Sequence, residues 1–177
     1  VGGFNKITFK KDSSFIVDPI IIPQSRKNEL ERHLMLCFTG FSRIASGIAK
    51  FQLDNMHKRV EKMIRIEEMV DEAIDILSDE KRSILDFGVL LDEGWQIKRT
   101  LSEKITTEEI DNIYSLALDA GAIGGKILGA GGGGFLLLFA RPEDQPEILE
   151  RLKDYIHVPF KFDNSGSRVV LYQPRGL

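Results

Sequence analysis

With a single cysteine, Cys37, the chain cannot close an internal disulfide, so a reducing, cytoplasmic compartment is the default expectation. Basic excess is lacking too. Lys and Arg number 24 against 27 Asp and Glu, a net charge of −3, which gives no support for a nucleic-acid-binding face. The longest wholly apolar run, Phe135 to Ala140, is far too short to cross a bilayer, and no membrane association is expected. No charged start followed by an apolar stretch marks a signal peptide. The histidines, His33, His57 and His157, are scattered without ligand spacing such as H-x-x-x-H, so they read as structural and no metal site is expected. Internal repeats and low-complexity linkers are missing as well. So is an initiator Met: the chain opens VGGFNKITF, already in a strand-like pattern, and reads as beginning within a larger protein.

What remains is ordinary globular material, 42% hydrophobic and 29% charged, enough for one domain or a little more. Ile7 to Phe9 and Phe15 to Val17 predict a hairpin around KKDSS. Pro19 and Pro23 bracket an extended segment. His33 to Phe38 reads as a buried strand or a short helix, which periodicity alone does not separate. Helices are predicted over Ser42 to Leu53, then along a stripe of Val60, Met63, Ile64, Glu67, Val70, Ile74 and Leu77, and from Ser83 to Leu101. Another runs from Thr107 to Ala120, with Thr106 and Glu109 forming a capping box and Gly121 as the stop. A strand GGKIL, a glycine loop and the strand Phe135 to Ala140 follow. Pro142 then opens a helix burying Ile148, Leu149, Leu152 and Ile156. Strands near Val158 to Phe162 and Arg168 to Tyr172 close the chain. Antiparallel strands with packed helices describe an α+β domain.

The glycine loop carries the strongest signal. Gly129, Gly131, Gly132, Gly133 and Gly134 occupy five of six positions around Ala130. That density suits a backbone at repeated positive φ, or one against which a ligand presses, and consecutive amides can form an anion-binding nest. Gly129, Gly131 and Gly134 satisfy G-x-G-x-x-G, but a dinucleotide fingerprint opens a helix, whereas the strand FLLLFA follows here. A Walker loop ends in Gly-Lys-Ser/Thr; Lys126 instead precedes the glycines. The alternative is a tight hairpin whose glycines serve packing alone.

GGKILGAGGGGFLLLF resembles the third signature motif of the GHMP kinases, a glycine loop between two strands of their C-terminal domain. LMLCFTGFSRIAS resembles the family's acceptor-side strand, loop and helix. FGVLLDEGWQIKRTLSEKI with IDNIYSLALDAGAIGGKILGAGGGGF is similar to the bacterial heptose-phosphate kinase branch, which phosphorylates the anomeric oxygen of D-glycero-D-manno-heptose 7-phosphate. The resemblance implies a ferredoxin-like mixed antiparallel sheet with packed helices over residues 31–177. It makes residues 1–30 a hairpin remnant of the preceding N-terminal domain. A fucokinase-like or galactokinase-like kinase, or a non-catalytic binding module of the same fold, are the alternatives.

The resemblance further implies ATP with Mg2+, a small-molecule sugar phosphate, and the missing N-terminal half of the same protein as partner; a homodimer is compatible with it. The family's P-x-x-x-G-L-G-S-S-A phosphate loop has no match here, and the acceptor-activating aspartate is expected upstream of Val1, so no catalytic residue is expected in this chain. Gly129 to Gly134 would close over the donor phosphates, with Lys126 either touching them or standing solvated at a sheet edge. Thr39, Ser42 and Arg43 are the acceptor-side candidates, Arg43 for its planar, phosphate-gripping fork. Ser42 as a helix cap and Arg43 on a solvated face are the alternatives. Lys98 and Arg99 would add positive charge for a sugar phosphate, or form a plain solvated face. The acids Asp92 and Glu93 point to different helix faces and are expected at the surface, and Cys37 is expected as a buried small hydrophobe.

Overall fold

The structure, a computed structural model, describes residues 2–40 and 59–169. The helix expected over 42–53, with Ser42 and Arg43, and His57 beyond it, lie outside those residues. Contacts divide the chain into two units, Val1–Ile22 with Lys161–Leu177, and Pro23–Phe160.

In the first unit, β1 (Asn5–Phe9) and β2 (Phe15–Pro19) pair antiparallel with Phe9 opposite Phe15, the hairpin expected around KKDSS. Ser13 takes φ 65° in the turn, and the Asp12 carboxylate accepts from the Ser14 amide and hydroxyl. Those bonds favour the ionised form and hold Asp12 below the usual carboxylate range. Residues 161–169 run beside the hairpin without forming a strand. The Gly3 N–H donates to the Asp163 carbonyl at 3.0 Å, and the Phe4 and Phe162 rings meet edge-on.

The second unit is built on a four-stranded antiparallel sheet of order β4-β5-β3-β6, from β3 (Leu34–Phe38), β4 (Ala122–Ile127), β5 (Phe135–Ala140) and β6 (Ile156–His157). Its helices are α1 (Gln24–His33), α2 (Val60–Ser78), α3 (Leu85–Arg99), α4 (Glu108–Asp119) and α5 (Gln145–Arg151). This is the α+β class expected. Alternation puts Met35 and Cys37 of β3 into a core with Leu136, Leu138, Trp95, Ile110, Ile113 and Ile148. Cys37 is the buried hydrophobe expected, and burial pushes its thiol pKa up to about 11.

The structure corrects the reading at several points. Of HLMLCF, Leu34 to Phe38 is strand, and His33 ends the preceding helix α1, which periodicity does not reveal. That helix is polar throughout except Leu30, and it is fixed by its buried side chains. Arg26, 3% exposed, donates to the Ile76 and Arg82 carbonyls at 2.7 and 2.8 Å, satisfying backbone acceptors at the end of α2. His33 stacks on Phe139. The buried face of α2 is Met69, Ile76 and Leu77, whereas Val60, Ile64 and Val70 of the expected stripe are exposed. The N-cap of α4 is Thr107, whose hydroxyl accepts from the Ile110 amide; Thr106 instead donates to Asp111. Pro146, not Pro142, sits in the first turn of α5, which buries Ile148 while Leu149 stays exposed, and Ile156 belongs to β6. The strand expected over Val158 to Phe162 is not formed; a two-residue strand, β6, lies just before it. After the Val158 N–H donates to Leu36 the next residue is Pro159, with no donor to continue the ladder. Residues 168 and 169 have no regular structure, and the remainder of that expected strand lies outside the described residues.

α3 lies unusually close to β4. A Cβ on Gly124 would stand 2.2 Å from the Gly88 carbonyl oxygen, and one on Gly88 would meet the Phe139 ring at 2.4 Å. Glycine on both elements is what lets helix backbone touch strand backbone. That proximity carries the C-terminal end of α3 to the loop between β4 and β5.

Candidate functional site

The loop joins adjacent antiparallel strands, so it is a hairpin connection, closed where the Leu128 N–H donates to the Phe135 carbonyl at 2.8 Å. Its five glycines all have positive φ: 75° at Gly129, 104° at Gly131, 75° at Gly132, 144° at Gly133 and 96° at Gly134. An L-residue in the left-handed region is disfavoured by roughly 1–2 kcal/mol, so the run of glycine follows from the path of the backbone.

Three anchors hold the loop. The Gly132 N–H donates to the Ile105 carbonyl at 2.8 Å, and a Cβ on Gly131 would stand 2.6 Å from the same oxygen. The Gly134 carbonyl accepts from both the Thr39 amide and its hydroxyl, each at 2.9 Å. At the entry, the Lys98 ammonium donates to the Gly129 carbonyl at 2.7 Å. Gly129 and Gly134 have no atom within 4 Å of a built Cβ. The middle of the loop is therefore seated on protein while its two ends are open. Among the described residues, the N–H groups of Gly131, Gly133 and Gly134 have no protein acceptor.

Of the residues singled out by sequence, Thr39, Lys98, Lys126 and Gly129 to Gly134 come together, and Arg99 does not join them. Thr39 is 3% exposed and is tied to Gly134. Lys98 reaches the loop instead of forming a solvated face. Burial, with the like charge of Lys126, lowers its pKa to about 8. Burial lowers Lys126 as well, and its ammonium has no hydrogen bond or ion pair among the described residues. Arg99 turns away into an ion pair with Asp111 of α4 at 2.6 Å.

The adjacent acids do point to different faces, but neither is idle at the surface. Asp92 accepts from the Tyr114 hydroxyl at 2.5 Å and from Gln96 at 2.9 Å. The Gly125 N–H donates to the Tyr114 oxygen; burial and the Asp92 carboxylate together hold the phenol well above its ordinary range. Glu93 pairs with Arg65, which also binds Glu72. Sequence reasoning missed Ile105 as the loop's seat, because the contact is made by a backbone carbonyl that no side-chain pattern reports. The loop thus presents ends without side chains, with the Lys98 ammonium bonded at its entry and Lys126 near enough to act on Lys98. Among the described residues, no three His, Cys, Asp or Glu side chains converge to hold a metal.

Comparison with known proteins agrees with this geometry. Residues 72–157 match the family model described as GHMP kinases C terminal. The chain is 34% identical over 164 residues to a D-glycero-alpha-D-manno-heptose 7-phosphate kinase from Campylobacter jejuni, covering 86% of this chain and 45% of that protein. It is 25% identical over 158 residues to a bifunctional fucokinase/GDP-fucose pyrophosphorylase from Arabidopsis thaliana, covering 84% of this chain and 14% of that protein. The crystal structure of a D-glycero-D-manno-heptose 1-phosphate kinase from Bacteroides thetaiotaomicron superposes with TM-score 0.66 at 24% identity, over 93% of this chain and 44% of that one, a likeness of fold. The chain thus spans less than half the length of the curated relatives it matches. Residues 72–157, which hold the glycine hairpin between β4 and β5, thus belong to the GHMP kinase family as its C-terminal domain.

Proposed function

We propose that the intact protein transfers a phosphoryl group from ATP to the anomeric hydroxyl of a sugar phosphate, D-glycero-D-manno-heptose 7-phosphate, making the 1,7-bisphosphate for nucleotide-activated heptose. The observation that carries this is the open-ended glycine hairpin with unpaired amides and Lys126 at its mouth. Phosphoryl transfer depends mainly on positioning and on neutralising charge, and this loop offers both without side chains in the way. The 34% identity to the Campylobacter kinase favours heptose over fucose as the acceptor. Residues of the preceding half would supply the main phosphate loop and the acceptor-activating aspartate. The opening hairpin would pack with that half. Mg2+ would arrive with ATP and lower the charge of its phosphates, and no step is assigned through it. Thr39 fixes Gly134, while Ser42 and Arg43, outside the described residues, are proposed to face the acceptor. No described helix is long and apolar enough to cross a membrane.

The test is a substrate panel on the full-length protein with MgATP: heptose 7-phosphate, fucose, galactose and mevalonate. Transfer to heptose 7-phosphate above the others is expected. Preference for fucose would move the protein to the fucokinase branch, and no transfer to any acceptor would favour a binding module. In the same assay Arg43→Ala should raise the KM for sugar phosphate by tenfold or more, by the roughly 2–5 kcal/mol of truncating a buried charge pair, and leave that for ATP near normal. Equal loss of both substrates would make Arg43 structural.

A further inference from the structure

The sequence reading divides Lys126 and Lys98 between two phosphates, one of the donor and one of the acceptor. The fold does not keep them apart. Lys98 comes from the last turn of α3 and Lys126 from β4, and the close approach of Gly88 and Gly124 brings both to the same side of the glycine loop. We propose that Lys98 and Lys126 form one seat for a single phosphate group, and that Lys98 leaves the Gly129 carbonyl to grip it. This rests on the kinase reading above and adds to it a named residue pair and a linked proton.

Among the described residues, the surrounding charges leave these two without a carboxylate partner. On α2, Lys62 is bonded to the Thr100 hydroxyl and Arg65 is held by Glu72 and Glu93. On α3, Asp92 is bonded by Tyr114 and Gln96, and Arg99 is paired with Asp111 of α4. The loop itself, from Leu128 to Phe135, carries no charge. Of all these groups only Lys126 acts on Lys98, and it is of like sign. Two half-buried cations without a carboxylate between them repel each other and favour loss of a proton, whereas a phosphate between them reverses both effects. Lys98 already has one partner it can exchange. A neutral carbonyl holds an ammonium less strongly than a phosphate oxygen does, since the phosphate adds the attraction of a full opposite charge.

The sign of the proton linkage follows. Free Lys98, with a pKa of about 8, is half charged at pH 8, and with phosphate bound it is fully charged. Binding therefore takes up a proton, and affinity falls as pH rises beyond about 8. Titration calorimetry on the full-length protein at pH 8, in two buffers of different ionisation enthalpy, reads this uptake directly. ADP and heptose 7-phosphate are titrated separately, so the ligand that shows it identifies which phosphate occupies the seat. Uptake of about half a proton is expected with one of them. Lys98→Met should weaken that ligand about tenfold or more at pH 7 and abolish the uptake. Lys98→Arg, always charged, should bind without uptake and hold its affinity above pH 8. Lys126→Met, which removes half of the seat as well as the repulsion, should weaken the same ligand and shrink the uptake; unchanged affinity for both ligands would overturn the part given to Lys126. Binding of both ligands with no proton uptake, or a Lys98→Met that binds both as the wild type does, would overturn the two-lysine seat alone and leave Lys98 a structural latch. Failure of the wild type to bind either ligand would overturn the kinase reading and the seat together.

Discussion

Two groups of glycines a few residues apart are constrained in opposite ways. Gly124 and Gly125 lie in β4, where any residue could adopt the backbone, yet a Cβ would stand 2.2 Å from the Gly88 oxygen at the first and 2.5 Å from the Leu137 oxygen at the second. Gly129 and Gly134 lie at the ends of the loop, where a Cβ would meet nothing but φ is 75° and 96°. The first group is glycine for want of space and the second for want of an allowed conformation. Gly131 belongs to both, with φ 104° and the Ile105 backbone at 2.6 Å. Packing thus fixes where the loop stands, and conformation fixes its shape.

Substitution can separate these causes. The largest effect is expected for Gly124→Ala, which pushes α3 off the sheet. Urea denaturation of the full-length protein should show a loss of about 3 kcal/mol or more, with turnover falling because the loop moves with its support. Gly131→Ala should cost about 2–3 kcal/mol, combining strain with contact against Ile105, so loss of activity there is not a clean report on phosphate contact. Gly129→Ala and Gly134→Ala should cost only about 1–2 kcal/mol each while cutting turnover out of proportion, since only shape and access to the mouth change. Equal loss of stability at Gly124 and Gly134 would dissolve the distinction. The smallest effect is expected for Thr39→Val, which keeps the backbone bond to Gly134 and loses the hydroxyl one, about 1 kcal/mol.

Much of this was legible because it is local. The run FLLLFA, the glycines before it and the hairpin around KKDSS each announce themselves within a dozen residues, and β4, β5, β1 and β2 follow them. That the glycines between β4 and β5 form a loop with its backbone at positive φ was readable for the same reason. α1 was not, because QSRKNELERH has one apolar residue and owes its place to Arg26 reaching the end of α2 about fifty positions away. The stripe on α2 was displaced because that helix carries apolar residues on more than one side, and only packing selects Met69 and Ile76. The contact of Lys98 with the loop was not legible either. A bond to Gly129, 31 positions away, depends on how α3 crosses β4, and two isolated glycines in two different elements decide that.

The anchors of the loop differ widely in how far the chain must travel to make them. Leu128 closes on Phe135 within the hairpin itself, whereas Thr39 reaches Gly134 across 95 residues. Ring closure of that longer segment costs about 2 kcal/mol more entropy than closing the hairpin, by the logarithmic dependence on loop length. A refolding chain can therefore form the β4–β5 turn early, by local search, and must wait for β3 to arrive between β5 and β6 before Gly134 is tied down. The loop would exist, for part of the folding time, as a turn with one end loose. Its late-forming end is the one fastened by β3, the strand that runs directly into the TGFSR segment. In kinetic terms, the glycine loop gains its final anchor only when β3 has joined the sheet.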